Sequence, residues 1–184
     1  MHYWGHFCTV TKHRYLVFIH CVKAGIPIRG LLHDLSKFSP VEFLPGAKYY
    51  TGKGSPIPRE RADIGYSKAW IHHKAKNKHH LEYWQDYDDK NGTLFPVEIP
   101  PVYMTEMFCD MLAANKVYRG KEHTDQDGIK YFYNKNMAQR MHPKSAKFLE
   151  NCFKVLADKG EKEVFKYIRK ARKDYAKGNS DYHI

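Results

Sequence analysis

The apolar residues of this 184-residue chain recur at helical spacing, and this periodicity limits what the chain can fold into more than any other feature. The clearest case follows Pro100-Pro101, where apolar residues return at i, i+3, i+4, i+7 and i+8, namely Met104, Met107, Phe108, Met111 and Leu112. No run alternates cleanly with the period of two that a half-buried strand requires. The sequence therefore predicts an all-α protein of about six to eight helices in a single domain.

Glycine and proline signals separate the predicted helices. Gly25-Ile26-Pro27 ends the first helix, and loops are expected at 51–60 and at 88–101, the latter with an Asn91-Gly92 turn. The second helix has an apolar stripe, Ile28, Leu31, Leu32 and Leu35, that is expected to pack in the protein. The expected helical segments are 7–25, 27–36, 40–50, about 59–74, a short stretch at 81–87, about 101–117, 124–139, 143–158 and 161–177.

Composition and cysteine usage exclude several classes of protein. The chain is 42% hydrophobic and 15% aromatic, which is too rich for a disordered protein. Its longest apolar runs are too short to cross a bilayer and no secretory leader is recognised, so we expect a cytoplasmic protein without a membrane partner. The four cysteines contain no C-x-x-C pair, which excludes a zinc ribbon, and Cys109 and Cys152 are expected in the core.

Histidine is about three times as frequent as average usage, and six of the 12 histidines lie in conspicuous motifs. The motifs are His13, the His33-Asp34 doublet, the paired doublets His72-His73 and His79-His80, and a later Asp110. Adjacent helix positions diverge by about 100°, so one histidine of each pair is expected inside, with His73 and either His79 or His80 favoured. His6, His13 and His20 recur every seven residues on one helix face, and the pattern alone does not choose between them.

Imidazole nitrogens and carboxylate oxygens in one cluster are typical metal ligands that suit Mn, Fe, Ni, Co or Zn, with Mg also within range. A set of His, His, Asp and a distant Asp leaves coordination positions open for water and substrate. The remaining histidines could hold a second ion close by, so the pattern predicts one or two divalent metal ions. Glu106, one turn before Asp110, is either a partner of the ligands or a solvated residue.

The order His13, His33-Asp34 and Asp110 resembles the HD-domain superfamily of metal-dependent phosphohydrolases, in which such residues share a metal. The segment HDLSK resembles the superfamily's HDIGK element, whose lysine approaches substrate phosphate and here is Lys37. The chain is closer still to a family of small uncharacterised bacterial and phage HD-like proteins. That resemblance is carried by HDLSKFSPVEF at 33–43, WIHHKAKNKHHLEYW at 70–84 and EMFCD at 106–110.

The resemblance implies one HD-type helical bundle over 1–184, with a motif-bearing core at about 9–120 and basic helices at about 124–177. It implies that a first ion is held by His13, His33, Asp34 and Asp110, while His73 with His79 or His80 holds a second ion or contacts phosphate. Asp34 and Lys37 are then the expected catalytic residues. Lys37, His72 and Asn77 are the expected substrate contacts, although Asn77 also suits a helix end.

The predicted reaction is hydrolysis of a phosphomonoester or nucleotide-type anionic substrate by a metal-activated water. One alternative keeps the ligands and changes the reaction, because some HD-fold proteins hold two irons and oxidise substrates with O₂. Another is a nucleotide or nucleic-acid binding protein. The net charge of +11 favours an anionic substrate. The 11 Lys and Arg against five Asp and Glu between Lys144 and Lys177 are either a solvated helix face or a surface that steers an anion such as a nucleotide or nucleic acid. The pattern leaves the oligomeric state open.

Overall fold

The computed structural model describes residues 1–178, and helices make up most of them. The helices of these residues are α1 (Tyr3–Ala24), α2 (Pro27–Leu32), α3 (Pro40–Tyr49), α4 (Ile57–Ile64), α5 (Lys68–Lys76), α6 (Pro101–Arg119), α7 (Asp127–Asn134) and α8 (Pro143–Ala176). Two short strands, β1 (Gln85–Asp88) and β2 (Thr93–Pro96), form an antiparallel hairpin between α5 and α6. The predicted all-α class is confirmed.

The connection from α1 to α3 differs in part from the prediction. Gly25 ends α1 with a left-handed φ of 78°, and Pro27 starts α2, as expected. However, α2 ends at Leu32 and does not continue to residue 36, because Asp34 adopts a left-handed backbone with a φ of 51°. The chain then forms a 3₁₀ turn at Leu35–Phe38 before α3 begins.

The predicted packing of the α2 stripe is wrong. Ile28, Leu31, Leu32 and Leu35 are 71%, 62%, 50% and 50% exposed. The helix instead approaches α1 through Gly30, where an added Cβ would lie 2.6 Å from the Cβ atom of Cys21. Only glycine, which has no side chain, permits this close approach. Because the Gly30 side of α2 faces α1, the apolar side chains of α2 point outward.

The predicted helix at 59–74 is two helices in the structure. Gly65, with a φ of 83°, ends α4, and the Ser67 hydroxyl caps α5 by accepting a hydrogen bond from the Trp70 amide. Helix α4 also begins at Ile57, inside the segment predicted as a loop, because Pro58 suits a first helical turn.

The predicted short helix at 81–87 is wrong for its second half. Only Leu81–Tyr83 forms a 3₁₀ turn, and the following residues form β1, which pairs with β2 across the expected Asn91-Gly92 turn. Neither strand has a buried face, so the apolar alternation that indicates a strand is missing from the sequence.

Helix α6 lies at the centre of the hydrophobic core, and its bounds agree with the prediction. Its fully buried apolar residues include Met104, Met107, Phe108, Cys109 and Leu112, whereas Met111 is half-buried. Phe108 packs against Phe153 of α8 with ring centroids 5.2 Å apart, and Cys152 is buried beside Phe153 in the chain, as expected.

The C-terminal helices confirm one predicted boundary and shorten one predicted helix. Gly160 interrupts α8 with φ and ψ of 79° and 177°, so the predicted separation of 143–158 from 161–177 is confirmed. The segment predicted at 124–139 ends earlier, because Asn136 adopts a left-handed φ of 48° after α7. The terminal residues 179–184, predicted to fray, lie outside the described residues. Within residues 1–178, no helix has the length and apolar character needed to cross a membrane.

Candidate metal centre

Five segments bring the predicted ligands to one place in the fold. His13 comes from α1, His33 and Asp34 from the turn after α2, His73 from α5, His79 and His80 from the turn after α5, and Asp110 from α6. Asp110 and His80 are partly exposed, and the other five residues are buried. Helix α1 packs against α2 and α6, and α5 packs against α3 and the turn after α2, so the five segments meet.

The first group of potential ligands contains His13, His33, Asp34 and Asp110, with one ligand atom of each within 4.8 Å of the others. The Nε2 atom of His13 lies 3.0 Å from Oδ1 of Asp110, and Nε2 of His33 lies 3.2 Å from Oδ2 of Asp34. These are the four residues that the family resemblance assigned to a first ion.

The second group contains Asp34 again, together with His73, His79 and His80. Oδ1 of Asp34 lies 3.3 Å from Nε2 of His73 and 3.5 Å from Nε2 of His79. Asp34 therefore directs one carboxylate oxygen toward each group. Such an arrangement suits two ions that share a carboxylate.

The backbone of Asp34 is unusual for a residue with a side chain. Its φ and ψ are 51° and 31°, and within residues 1–178 only Asn136 is a second non-glycine residue with positive φ. Such conformations cost on the order of 1–3 kcal/mol and concentrate at functional sites. Here the turn places adjacent His33 and Asp34 side chains at the same centre.

Several buried polar atoms of the two groups lack a well-aligned hydrogen bond. Within residues 1–178 these are Nε2 of His13, His33, His79 and His80, both carboxylate oxygens of Asp34, and Nδ1 of His79. An unsatisfied buried polar group costs about 1–3 kcal/mol. Divalent cations would coordinate the Nε2 and carboxylate oxygen atoms, so the residues present fit one or two metal ions.

Glu106 supports two of the imidazoles from the side opposite the centre. Its Oε1 lies 3.0 Å from Nδ1 of His33 and 3.2 Å from Nδ1 of His79. Its Oε2 accepts hydrogen bonds from the Arg29 guanidinium, with Nε at 2.8 Å and Nη2 at 2.6 Å. A carboxylate on the outer ring nitrogen fixes the orientation of a metal-binding imidazole. Of the two alternatives for Glu106, the structure thus favours the partner of the ligands.

Glu42 of α3 does the same for the second group, although it is not among the predicted site residues. Its Oε2 lies 2.7 Å from Nδ1 of His73, and its Oε1 lies 2.7 Å from Nδ1 of His72. The residue belongs to the HDLSKFSPVEF motif, eight positions after Asp34, which is the only signal that marked it.

The surroundings hold the two carboxylates ionised and at least one imidazole neutral. Burial opposes ionisation of Asp34, but the charges of His33 and Lys37 outweigh it and hold its pKa well below 3.8. Burial also opposes ionisation of Asp110, but the close approach of His13 and His33 lowers its pKa well below 3.8. Burial, reinforced by Lys37, lowers the pKa of His13, which favours the neutral form that binds metals.

The alternatives to His13 lie outside both groups. His6 packs against Gly46 and the Tyr50 ring, and Nδ1 of His20 lies 3.3 Å from the carbonyl oxygen of Cys109. Among the three histidines of this α1 face, the structure brings only His13 to the other ligands.

The two other expected substrate contacts, His72 and Asn77, bond within the protein. His72 contacts Glu42, while the Asn77 side chain donates hydrogen bonds to the Ser36 hydroxyl and the His73 carbonyl oxygen. Asn77 also ends α5, as its alternative interpretation predicted. Their roles toward a substrate stay predictions.

A cavity of about 690 Å³ reaches the centre. Its walls include His13, Lys37, His73, His80 and Asp110. Three further cationic side chains also line it, namely Arg61, Lys135 and Arg140. Lys37 places its Nζ 2.7 Å from Oδ2 of Asp34. Small-molecule sites commonly have volumes of about 300–1,000 Å³, so the cavity has room for a ligand beside the candidate metal ions.

Comparison with known proteins places this chain in a family. No curated protein matches it, and no solved structure matches it. The model of a family of unknown function, DUF5662, matches residues 2–155 and so covers most of the chain. The chain therefore belongs to the DUF5662 family, whose function is unknown.

Proposed function

We propose that this protein is a metal-dependent phosphohydrolase of the HD type that acts on a phosphomonoester or nucleotide-type substrate. The observation that carries the proposal is the shared carboxylate of Asp34, which faces one ligand group with each oxygen. Two-metal centres of this composition recur in enzymes that hydrolyse phosphate esters. The cavity beside the centre supplies the space for such a substrate.

His13, His33, Asp34 and Asp110 would hold one ion, and Asp34 with His73, His79 and His80 would hold the other. Bound divalent ions supply a water of lowered pKa and positive charge that stabilises the transition state of phosphoryl transfer. Glu106 and Glu42 keep the imidazoles oriented by accepting their Nδ1 protons.

Lys37 is the residue of the chain best placed to meet a phosphate oxygen. It lines the cavity and lies against Asp34. Burial opposes its charge, but the carboxylates of Asp34 and Asp110 raise its pKa above the usual 10.5, so it stays cationic. A fixed cation at this point would bind substrate phosphate and neutralise the charge that grows in the transition state.

The walls of the cavity away from the ligands suit the remainder of an anionic substrate. Arg61 and Lys135 line it, and Arg140 does so while paired with Glu82 at 2.8 Å. These exposed side chains add positive charge to the wall of the cavity, which would attract an anion toward the centre.

Release of inorganic phosphate tests the proposal. We expect protein loaded with Mn, Fe, Ni, Co, Zn or Mg to hydrolyse members of a panel of phosphomonoesters and nucleotides, and EDTA to abolish the activity. Asp34→Asn should lower the rate by about 100-fold or more. His20→Gln, which changes another buried histidine of α1, should leave it within about twofold. Protein with two bound ions and no activity across the panel would refute the proposal.

Oxidation of a substrate with O₂ by two irons is a second candidate function. The observation that favours it is the histidine content of the centre, since five histidines and two aspartates make up the two groups. Imidazole suits iron well, and carboxylates bridge iron pairs. Oxygen consumption and a mixed-valence EPR signal from iron-loaded protein would support this function over hydrolysis.

Nucleic-acid binding through the basic C-terminal helices is a third interpretation, which rests on charge alone. It predicts binding that weakens steeply with salt and survives Asp34→Ala, because no metal ligand takes part.

A further inference from the structure

Helices α1 and α2 and the 3₁₀ turn at Leu35–Phe38 expose a group of large apolar side chains, called the apolar surface below. Its members are Trp4, Phe7, Ile28, Leu31, Leu32, Leu35 and Phe38, with exposed fractions from 37% for Phe38 to 75% for Trp4. In sequence, α2 has the pattern of a buried helix face. In the structure, nothing within residues 1–178 covers that face. Contiguous apolar patches of this kind on soluble domains mark interaction sites.

Contacts between rings and helical spacing make the surface continuous. The Trp4 and Phe7 rings stack with centroids 5.7 Å apart, and Phe7 meets Phe38 at 6.0 Å. Leu35 and Phe38 are three residues apart in a 3₁₀ turn, which places them on the same side. Ile28 and Leu31 have the same relation in α2. Arg14 joins the two parts, because it donates a hydrogen bond to the Leu31 carbonyl oxygen while its guanidinium lies 5.2 Å from the centroid of the Phe38 ring.

The exposed area is close to what each copy contributes to a stable interface. The seven exposed fractions amount to roughly four fully exposed side chains, or on the order of 600–800 Å². Two such surfaces together would bury about 1,200–1,600 Å², which lies in the range of specific protein–protein interfaces. Trp and Phe, which are enriched at interface centres, occupy one end of the surface.

The charges around the surface suit an identical partner. Between residues 4 and 38 the only acidic residue is the buried Asp34. Arg14 donates hydrogen bonds to the carbonyl oxygens of His33 and Leu31, and Arg29 is paired with Glu106. The charges of Arg29 and Lys37 are compensated by Glu106 and Asp34. Arg14 keeps its charge, but its guanidinium lies over the Phe38 ring, and arginine is a residue type that is enriched at protein interfaces.

We propose that the apolar surface is the contact between two copies of this chain related by a two-fold axis. A self-complementary apolar patch is what a symmetric dimer requires, since each copy presents the same residues to the other. The contact covers the outer side of the turn that carries His33 and Asp34, so association also holds that turn in place. The proposal involves no metal ion and stands apart from the proposed reaction.

Sedimentation velocity over a micromolar concentration series tests the dimer. We expect the full chain to sediment as a particle of twice its 21.7 kDa mass. Leu31→Glu on α2 and Phe7→Glu on α1 should each raise the dimer dissociation constant at least about tenfold. The matched control is Leu94→Glu on β2, because Leu94 is 67% exposed but lies outside the surface, and this variant should remain dimeric.

Helicity measured by circular dichroism shows whether each variant is folded. Phe7→Glu is distant in sequence from the His33-Asp34 doublet, so this variant still tests the dimer if Leu31→Glu misfolds. A wild-type chain that stays monomeric throughout the series overturns the proposal. So does a dimer that both substitutions leave intact. Cosedimentation of a monomeric chain with phosphatidylserine vesicles would assign the surface to a lipid bilayer instead.

Discussion

Replacing Glu106 with glutamine removes one negative charge behind two candidate metal ligands while it preserves the shape of the side chain. The carboxylate is 1% exposed and lies between the Nδ1 atoms of His33 and His79 on one side and the Arg29 guanidinium on the other. In the variant the amide can still accept from an imidazole. Its NH₂ group would then face the guanidinium, donor against donor, and neither imidazole would have a charged partner at its Nδ1 atom.

The magnitude follows from the pKa of Glu106. Burial opposes ionisation, but the hydrogen bonds and charges of His33 and His79 lower the pKa from 4.5 to about 2. This difference corresponds to about 3 kcal/mol of stabilisation at neutral pH. Outer partners of metal ligands are also worth about 10–100-fold in metal affinity. We therefore expect Glu106→Gln to lower the free energy of unfolding of the metal-free chain by about 3 kcal/mol and to weaken Mn binding by about 10–100-fold.

Urea unfolding in EDTA and calorimetric Mn titration measure the two effects. The matched control is Glu60→Gln, because Glu60 is equally buried and hydrogen-bonded, to Ser67 and the Lys68 amide, but belongs to neither ligand group. The control should bind Mn as the wild type does. Since the folded-state pKa of Glu106 is depressed, its contribution is complete above pH 4.5 and is lost as the pH falls toward 2. A variant with wild-type Mn affinity would refute the assigned role of Glu106.

Three further predictions use urea unfolding as their measurement. Gly46→Ala should destabilise the fold by about 1–2 kcal/mol, because its Cβ would lie 2.2 Å from Nε2 of buried His6; unchanged stability would contradict that packing. Ser67→Ala should lower the free energy of unfolding by about 1–2 kcal/mol, because it removes the hydroxyl that accepts a hydrogen bond from the Trp70 amide at the start of α5. An unchanged free energy of unfolding would contradict this capping role. Burial and Lys116 lower the pKa of His20 to about 4, so the free energy of unfolding should fall as the pH drops from 6.5 to 4. His20→Gln should make this fall smaller. A variant with the same pH profile as the wild type would show that His20 does not contribute to it.

Local signals in the sequence were enough to predict most helices. Proline marks the starts of α3 and α6, and glycine marks the end of α1 and the break at Gly160, because the backbone conformations of these residues depend little on the rest of the fold. The orientation of α2 could not be predicted in this way. Its apolar stripe matches a buried helix, and only the close approach of Gly30 to α1, a tertiary contact, turns that stripe outward.

The candidate ligands were also predictable as residue types, but their selection was not. His6, His13 and His20 are equivalent in spacing, and the choice of His13 depends on where α6 places Asp110. No signal in the sequence predicts the left-handed backbone of Asp34, although this backbone allows one carboxylate oxygen to face each ligand group. Glu42 was not predicted, because its contact with His73 requires α3 to pack beside α5, and no local pattern in the sequence indicates that packing.

The central claim is that two divalent ions share Asp34, and anomalous scattering tests it most directly. Crystals grown with Mn and measured near the Mn absorption edge report the position of each ion. We expect two peaks about 3.5–4 Å apart on either side of the Asp34 carboxylate, one beside Asp110 and His13 and one beside His73. In protein saturated with Mn, peaks that do not contact Asp34, or no peak at either ligand group, would contradict it.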